Sequence, residues 1–210
     1  MNMKIYLASS SKGRKNLLNN AGIEYKEISH YFDEVVFCDE LRNNLLEYVL
    51  FVARKKIENI KTTDFFIDEK DNNFEFVVIS ADTMCESSFP EKKIIGKPIS
   101  YDNVREILRS FKNGPIKIAT GYCIYKYKFE NNSINLIDKK ENVVVSKIWI
   151  DLSEKDIEDC IKYWGENILG WAGAFSIEGF GQKYVQKIEG SYSNIIGLPL
   201  FEVLRDFSIY

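Results

Sequence analysis

The chain has 210 residues, 45% of them hydrophobic, with 28 basic against 31 acidic side chains and a formal net charge of −3. That length buries a substantial core, as one large domain or two small lobes. The slight negative charge gives no global positive field for DNA or RNA, no apolar run reaches a membrane span, and the opening MNMKIYLASSSKGRK lacks the apolar stretch of a signal peptide, so a cytoplasmic protein with neither nucleic acid nor membrane as partner is expected.

Met3 to Ala8 alternates and is rich in β-formers, which predicts a first strand. Ser9-Ser10-Ser11 then precedes an amphipathic helix to about Asn20, ended by Ala21-Gly22. Glu24 to Ile28 predicts a second strand. Leu41 to Ile60, with apolar residues spaced by three and four, predicts a long helix. A polar turn at Asp68 to Asn73 leads into Phe74 to Ile79, a nearly continuous apolar run expected to be a buried strand that delivers Ala81-Asp82-Thr83 at its C-terminal end. A short return strand around Ile94-Ile95, the turn Gly96-Lys97-Pro98 and a helix over Asp102 to Phe111 follow. Ile116 to Tyr127 and Ile134 to Ile150 predict two long strands, with Glu130 to Asn135 as the hairpin loop. Ser153, with Asp156 three residues on, opens a helix through Tyr163. Gly170 to Gly181 is rich in small residues, and Leu198 to Phe207 predicts a final helix. Strands and helices mix without strict βαβ alternation, so the fold class is α/β in the broad sense, a mixed α+β arrangement.

The four cysteines, Cys38, Cys85, Cys123 and Cys160, form no C-x-x-C pair. They read as reduced, partly buried thiols rather than a zinc site or a disulfide framework. The only histidine, His30, lies in a polar turn without a nucleophile motif nearby. Chemistry must therefore rest on carboxylates, lysines, arginine and backbone.

Four strings could carry it. At Ser9 to Arg14, a helix N-terminus offers free N–H groups and serine hydroxyls to an anion, and Lys12 and Arg14 place charge where the helix dipole disfavours it unless a phosphate sits there. The plainer reading is a serine cap beside exposed basic residues. Asp82 at a strand end could hold a divalent metal or activate water, or be an ordinary turn aspartate. Lys97 in its Gly-Lys-Pro turn is a point charge suited to phosphate, or a surface lysine. The glycines after Gly170 imply close backbone approach or positive φ.

In this order the strings resemble the Maf family. LASSSKGRKNLL is similar to the family's L-A-S-x-S-P-R-R-x-x-L-L, SADTM to its A-D-T-V, and IIGKP to its L-G-K-P. GWAGAFSIEGFG and IEGSYSNIIGLPL are similar to its A-G-A-Y-x-I-Q-G and I-x-G-S-Y-x-N-V-x-G-L-P-L. The resemblance runs from about Ile5 to the C-terminus and implies a single Maf-like domain over residues 1–210. It implies an elongated mixed sheet flanked by helices, a Maf/ITPase-like fold of two lobes with a cleft. It also implies hydrolysis of a nucleoside triphosphate to the monophosphate and pyrophosphate with Mg2+ or Mn2+, often by a homodimer, as a house-cleaning activity. Asp82 then matches the proton-accepting aspartate. Ser9, Ser11 and Arg14 match the phosphate-binding turn, Glu34 an acidic position after the second strand, Lys56 the A-x-x-K-A lysine and Lys97 the G-K-P lysine. Glu34 and Asp82 are the expected metal ligands, directly or through water; Asp82 would orient the attacking water, with Lys56 and Lys97 absorbing phosphate charge.

The chain departs from the family at positions tied to substrate choice. Gly13 stands where the dTTP/UTP-cleaving branch has arginine, and Glu178 where that branch has glutamine. Glutamate at Glu178's position belongs to the branch acting on 7-methyl-GTP, which in turn lacks the Thr83 found here. The family's T-H-x-V-x-T-G is Ile116 to Gly121 without histidine. Gly13, Thr83 and Glu178 are thus a mixed set, and broad activity is expected. The rival reading is a non-catalytic nucleotide-binding regulator of cell division, against which Asp82 argues, since binding a polyanion alone needs no aspartate.

Overall fold

The computed structural model describes residues 3–33, 44–62, 65, 73–87, 93–112 and 114–207. Strands β1 (Lys4–Leu7), β2 (Lys26–Glu27), β3 (Asn73–Ser87), β4 (Lys93–Ile95), β5 (Ile116–Glu130), β6 (Ser133–Ile150) and β7 (Val185–Glu189) form one mixed sheet. Their order is β2-β1-β3-β5-β6-β7, with β4 also paired to β3. β1 runs parallel to β2 and β3, and every other pairing is antiparallel. The helices are α1 (Lys12–Asn20), α2 (Leu45–Glu58), α3 (Tyr101–Ser110), α4 (Glu154–Trp164), α5 (Tyr192–Ile196) and α6 (Leu200–Phe207). Three 3-10 segments, Gly165–Gly170, Ala172–Ala174 and Gly179–Tyr184, join α4 to β7. The mixed sheet flanked by helices is the expected class. No helix among the described residues is long and apolar enough to cross a membrane.

Strand alternation assigns the helices to their faces. Tyr6, Ala8, Phe76 and Val78 pack with Ala53 and Ile57 of α2 on one side. Leu7, Val77, Ile79 and Ala81 pack with Leu18 of α1 and Val203 of α6 on the other. Because β3 is covered on both faces, its first half reads as a continuous apolar run. Beyond it, α3, α4 and the 3-10 segments enclose a second core around Ile107, Leu108, Ile157, Trp164 and Ile168.

Two expectations are corrected. The strand expected to end at Ile79 continues to Ser87, because β5 pairs with it from Asn73 through Glu86 and carries the ladder past the apolar run. Asp82 therefore lies inside a strand, not at its end. The β5–β6 hairpin turns at Asn131 and Asn132 alone, with φ of 51° and 59°, the left-handed pair that a tight type I′ connection requires and asparagine tolerates. The sequence reading did not include β7 and α5. The Ser153–Asp156 capping box is present as expected.

Candidate active site

Among the described residues one stretch of one edge of β3 is left unpaired. β5 lines one edge of β3 along nearly its whole length. On the other edge β1 pairs through Leu7↔Ile79, and β4 takes over only from Cys85↔Ile95. Among the described residues no strand pairs with that edge between Ser80 and Met84. β1 and β4 point their C-terminal ends toward this interval from opposite sides. β1 leads into Ser9, Ser11 and the N-terminus of α1; β4 leads into Gly96, where an added β-carbon would lie 3.3 Å from Met84 Cε, and then Lys97. Asp82 sits in the middle of the interval. The phosphate-suited segments expected from sequence thus converge on the expected carboxylate.

Asp82 is 7% exposed and Lys56 5% exposed, and Lys56 Nζ donates to Asp82 Oδ1 at 2.8 Å. Lys56 belongs to the inward stripe of α2 with Val49, Val52, Ala53 and Ile57. A cation on an apolar stripe loses hydration, and replacing a buried ion pair with apolar residues often leaves stability unchanged or better. The pair is therefore better explained by a task than by folding. The second carboxylate oxygen of Asp82 remains for a water or a cation.

Arg14 stands on the opposite face and is 7% exposed. Its guanidinium donates from Nε to the Gly197 carbonyl at 2.7 Å, from Nη1 to Ser9 Oγ at 3.0 Å and from Nη2 to Thr83 Oγ1 at 3.0 Å. At least three of its five N–H groups thus organise protein atoms, and Arg14 lies within α1 rather than in a turn. Ser11 caps that helix through a bond from Arg14 N, and Ser9 Oγ also accepts from Ser11 N. Thr83 Oγ1 lies 2.9 Å from Thr120 Oγ1, and Thr120 donates to the Asn194 carbonyl at 3.1 Å. Thr83's single proton goes to Thr120 Oγ1 or to the Gly197 carbonyl 3.3 Å away. Either way it is spent inside the protein.

The remaining expected residues are spread around this centre. Gly13 is packed so that an added β-carbon would lie 3.0 Å from Ile196 Cγ2 and 3.2 Å from the Ile196 carbonyl, so a side chain there requires Ile196 to yield. Lys97 is exposed, and Glu178 is exposed at the start of the last 3-10 segment. Glu34, and Cys38 with it, lies outside the described residues. Cys85, Cys123 and Cys160 are buried free thiols, and burial pushes each of them up to about 12. The sequence reading assigned no role to Thr120, Asn194 or Gly197, which tie the 191–197 segment to β3. Their signal was present in the Thr120-Gly121 and Gly190 to Gly197 strings, but spacing along the chain does not reveal a bond across it.

The sequence profile described as Maf-like protein matches residues 4–208, and the chain belongs to this family. A dTTP/UTP pyrophosphatase of Caldanaerobacter subterraneus subsp. tengcongensis is 31% identical over 99% of this chain and 91% of its own. Proteins of the same description from Fusobacterium nucleatum subsp. nucleatum and Acinetobacter baylyi are 30% and 31% identical, each over 95% of this chain and over 92% and 95% of their own.

Proposed function

We propose that the chain hydrolyses nucleoside triphosphates to the monophosphate and pyrophosphate, with dTTP and UTP as preferred substrates. The observation that carries this reading is the buried Lys56–Asp82 pair, at 2.8 Å, beside the unpaired interval of β3. Asp82 accepts the proton of a water whose oxygen bonds to the α-phosphorus. The bridging bond to the β-phosphate breaks, and pyrophosphate leaves with its electron pair. Lys56 holds Asp82 in one orientation, which is the entropic part of the catalysis. Lys97 and the N-terminus of α1 neutralise phosphate charge. The relatives' shared description, together with Thr83, supports pyrimidine substrates.

A divalent cation such as Mg2+ or Mn2+ fits this donor set. Such ions commonly bind one or two carboxylates and complete their shell with substrate phosphate and water, and Asp82 has an oxygen to offer. Glu34, by its place in the family pattern, would be the second carboxylate. When bound, the cation supplies charge neutralisation on the phosphate oxygens.

Product analysis tests the proposal. With Mg2+ and dTTP or UTP, the protein should release nucleoside monophosphate and pyrophosphate in equal amounts, with kcat/KM at least about ten-fold above that for 7-methyl-GTP, a difference of about 1.4 kcal/mol. Diphosphate plus inorganic phosphate as products would overturn the cleavage site. Binding without turnover would favour the regulator reading.

A further inference from the structure

We infer that Gly121 and Ser80 are positioning residues that set the Lys56–Asp82 contact by fixing the height of α2 above the sheet; this rests on the catalytic reading of that pair. Gly121 is the cross-strand partner of Asp82 in the β3–β5 ladder. Directly opposed residues project to the same face, so the missing side chain of Gly121 would point where Asp82 points. That space is filled by the backbone of α2. A β-carbon added at Gly121 would lie 2.6 Å from Leu50 N, from Val49 C and from Val49 O. None of these is a side-chain tip that could swing aside, so any residue but glycine lifts the helix. Val49 and Lys56 lie on the same inward stripe of α2, which carries the displacement to the ammonium.

Ser80 provides the second fixed point. It is fully buried, and its Oγ donates to the Ala53 carbonyl at 2.7 Å. Ser80 and Asp82 are two residues apart and share a face of β3. Ala53 and Lys56 are three apart on α2, one turn of helix. The pair Ser80–Ala53 is thus a short strut parallel to the pair Asp82–Lys56. Glycine sets how close the helix comes, and the strut sets where along the strand it sits. Sequence alone gives only a glycine after a threonine and a serine in an apolar strand.

Gly121→Ala tests this by two readouts. In a crystal structure of the variant, Lys56 Nζ and Asp82 Oδ1 should separate beyond about 3.5 Å, outside hydrogen-bonding range. In the pyrophosphate assay kcat should fall about hundred-fold, the scale of a 1 Å misplacement, with KM within about threefold of wild type. Gly170→Ala is the control, because its added β-carbon meets nothing within 4 Å. An unchanged Lys56–Asp82 distance, or a kcat within about twofold of wild type in a folded variant, overturns the inference. Should Gly121→Ala not fold, Ser80→Ala removes the strut without a clash. It should lower kcat about ten-fold at unchanged KM, and full retention of kcat overturns the inference. A wild-type protein that binds but does not cleave would sink the functional proposal instead, while the crystallographic distance would still decide the positioning claim.

Discussion

At the residue scale the site is two buried polar clusters back to back across β3. Asp82 faces α2 and Lys56, while Thr83, the next residue, faces Arg14 and the closing segment. Proton accounting separates their roles. Thr83 accepts from Arg14 and gives its proton to Thr120 or to the Gly197 carbonyl, leaving none for a nucleobase, so its influence on substrate runs through Arg14 and the 191–197 segment. Thr83→Val should then cost about 1–3 kcal/mol of stability, the price of leaving buried partners unsatisfied, while Thr83→Ser stays near wild type. Urea unfolding of both variants checks this, and equal midpoints for serine and valine would contradict it. At this scale sequence conveyed residue types well. Asp82 and the serine turn stand out because polar groups follow apolar runs, whereas Lys56 is marked only by the family resemblance. The burial of Arg14 was not legible, because a basic residue at a helix start gives no sign of its bond to the Gly197 carbonyl 183 positions away.

At the element scale α2 is the part that must be held. Besides Gly121 and Ser80, Arg54 on its outer side donates to both carboxylate oxygens of Glu141 on β6, and Tyr125 donates to the same carboxylate. The Arg54 guanidinium, helped by the Tyr125 hydroxyl, holds Glu141 below the usual carboxylate range despite its burial. A depressed folded-state value means that the unfolded chain takes up the proton first. The stabilisation is full above the ordinary glutamate value of about 4.3 and is lost as pH falls through the folded value. The urea midpoint of wild type should therefore drop more between neutral and acid pH than that of Glu141→Gln; parallel profiles would contradict the tether. Element types were legible except for β7 and α5, because apolar spacing and caps such as Ser11 and Ser153 are local. Lengths were not. β3 runs past its apolar stretch because a partner strand pairs with it, and the hairpin at Asn131-Asn132 closes more tightly than composition implies.

At the scale of the whole molecule the site is a consequence of strand order. Two short strands share one edge of β3 and stop short of each other, and the chain ends they leave behind supply the serine turn and the Gly-Lys-Pro turn. This juxtaposition joins residues about position 10 with those about position 97, and no pattern along the chain announces it. Family resemblance supplied the same grouping without its physical reason, which is the interrupted edge. The central claim is that Asp82 is the proton acceptor at that interruption, and the variant Asp82→Asn tests it most directly, since it keeps the size and removes the charge. Pyrophosphate release from dTTP with Mg2+ should fall by about 10²–10⁴-fold, the usual contribution of a positioned general base, while calorimetry still detects dTTP binding. Turnover by Asp82→Asn within about twofold of wild type would contradict the account.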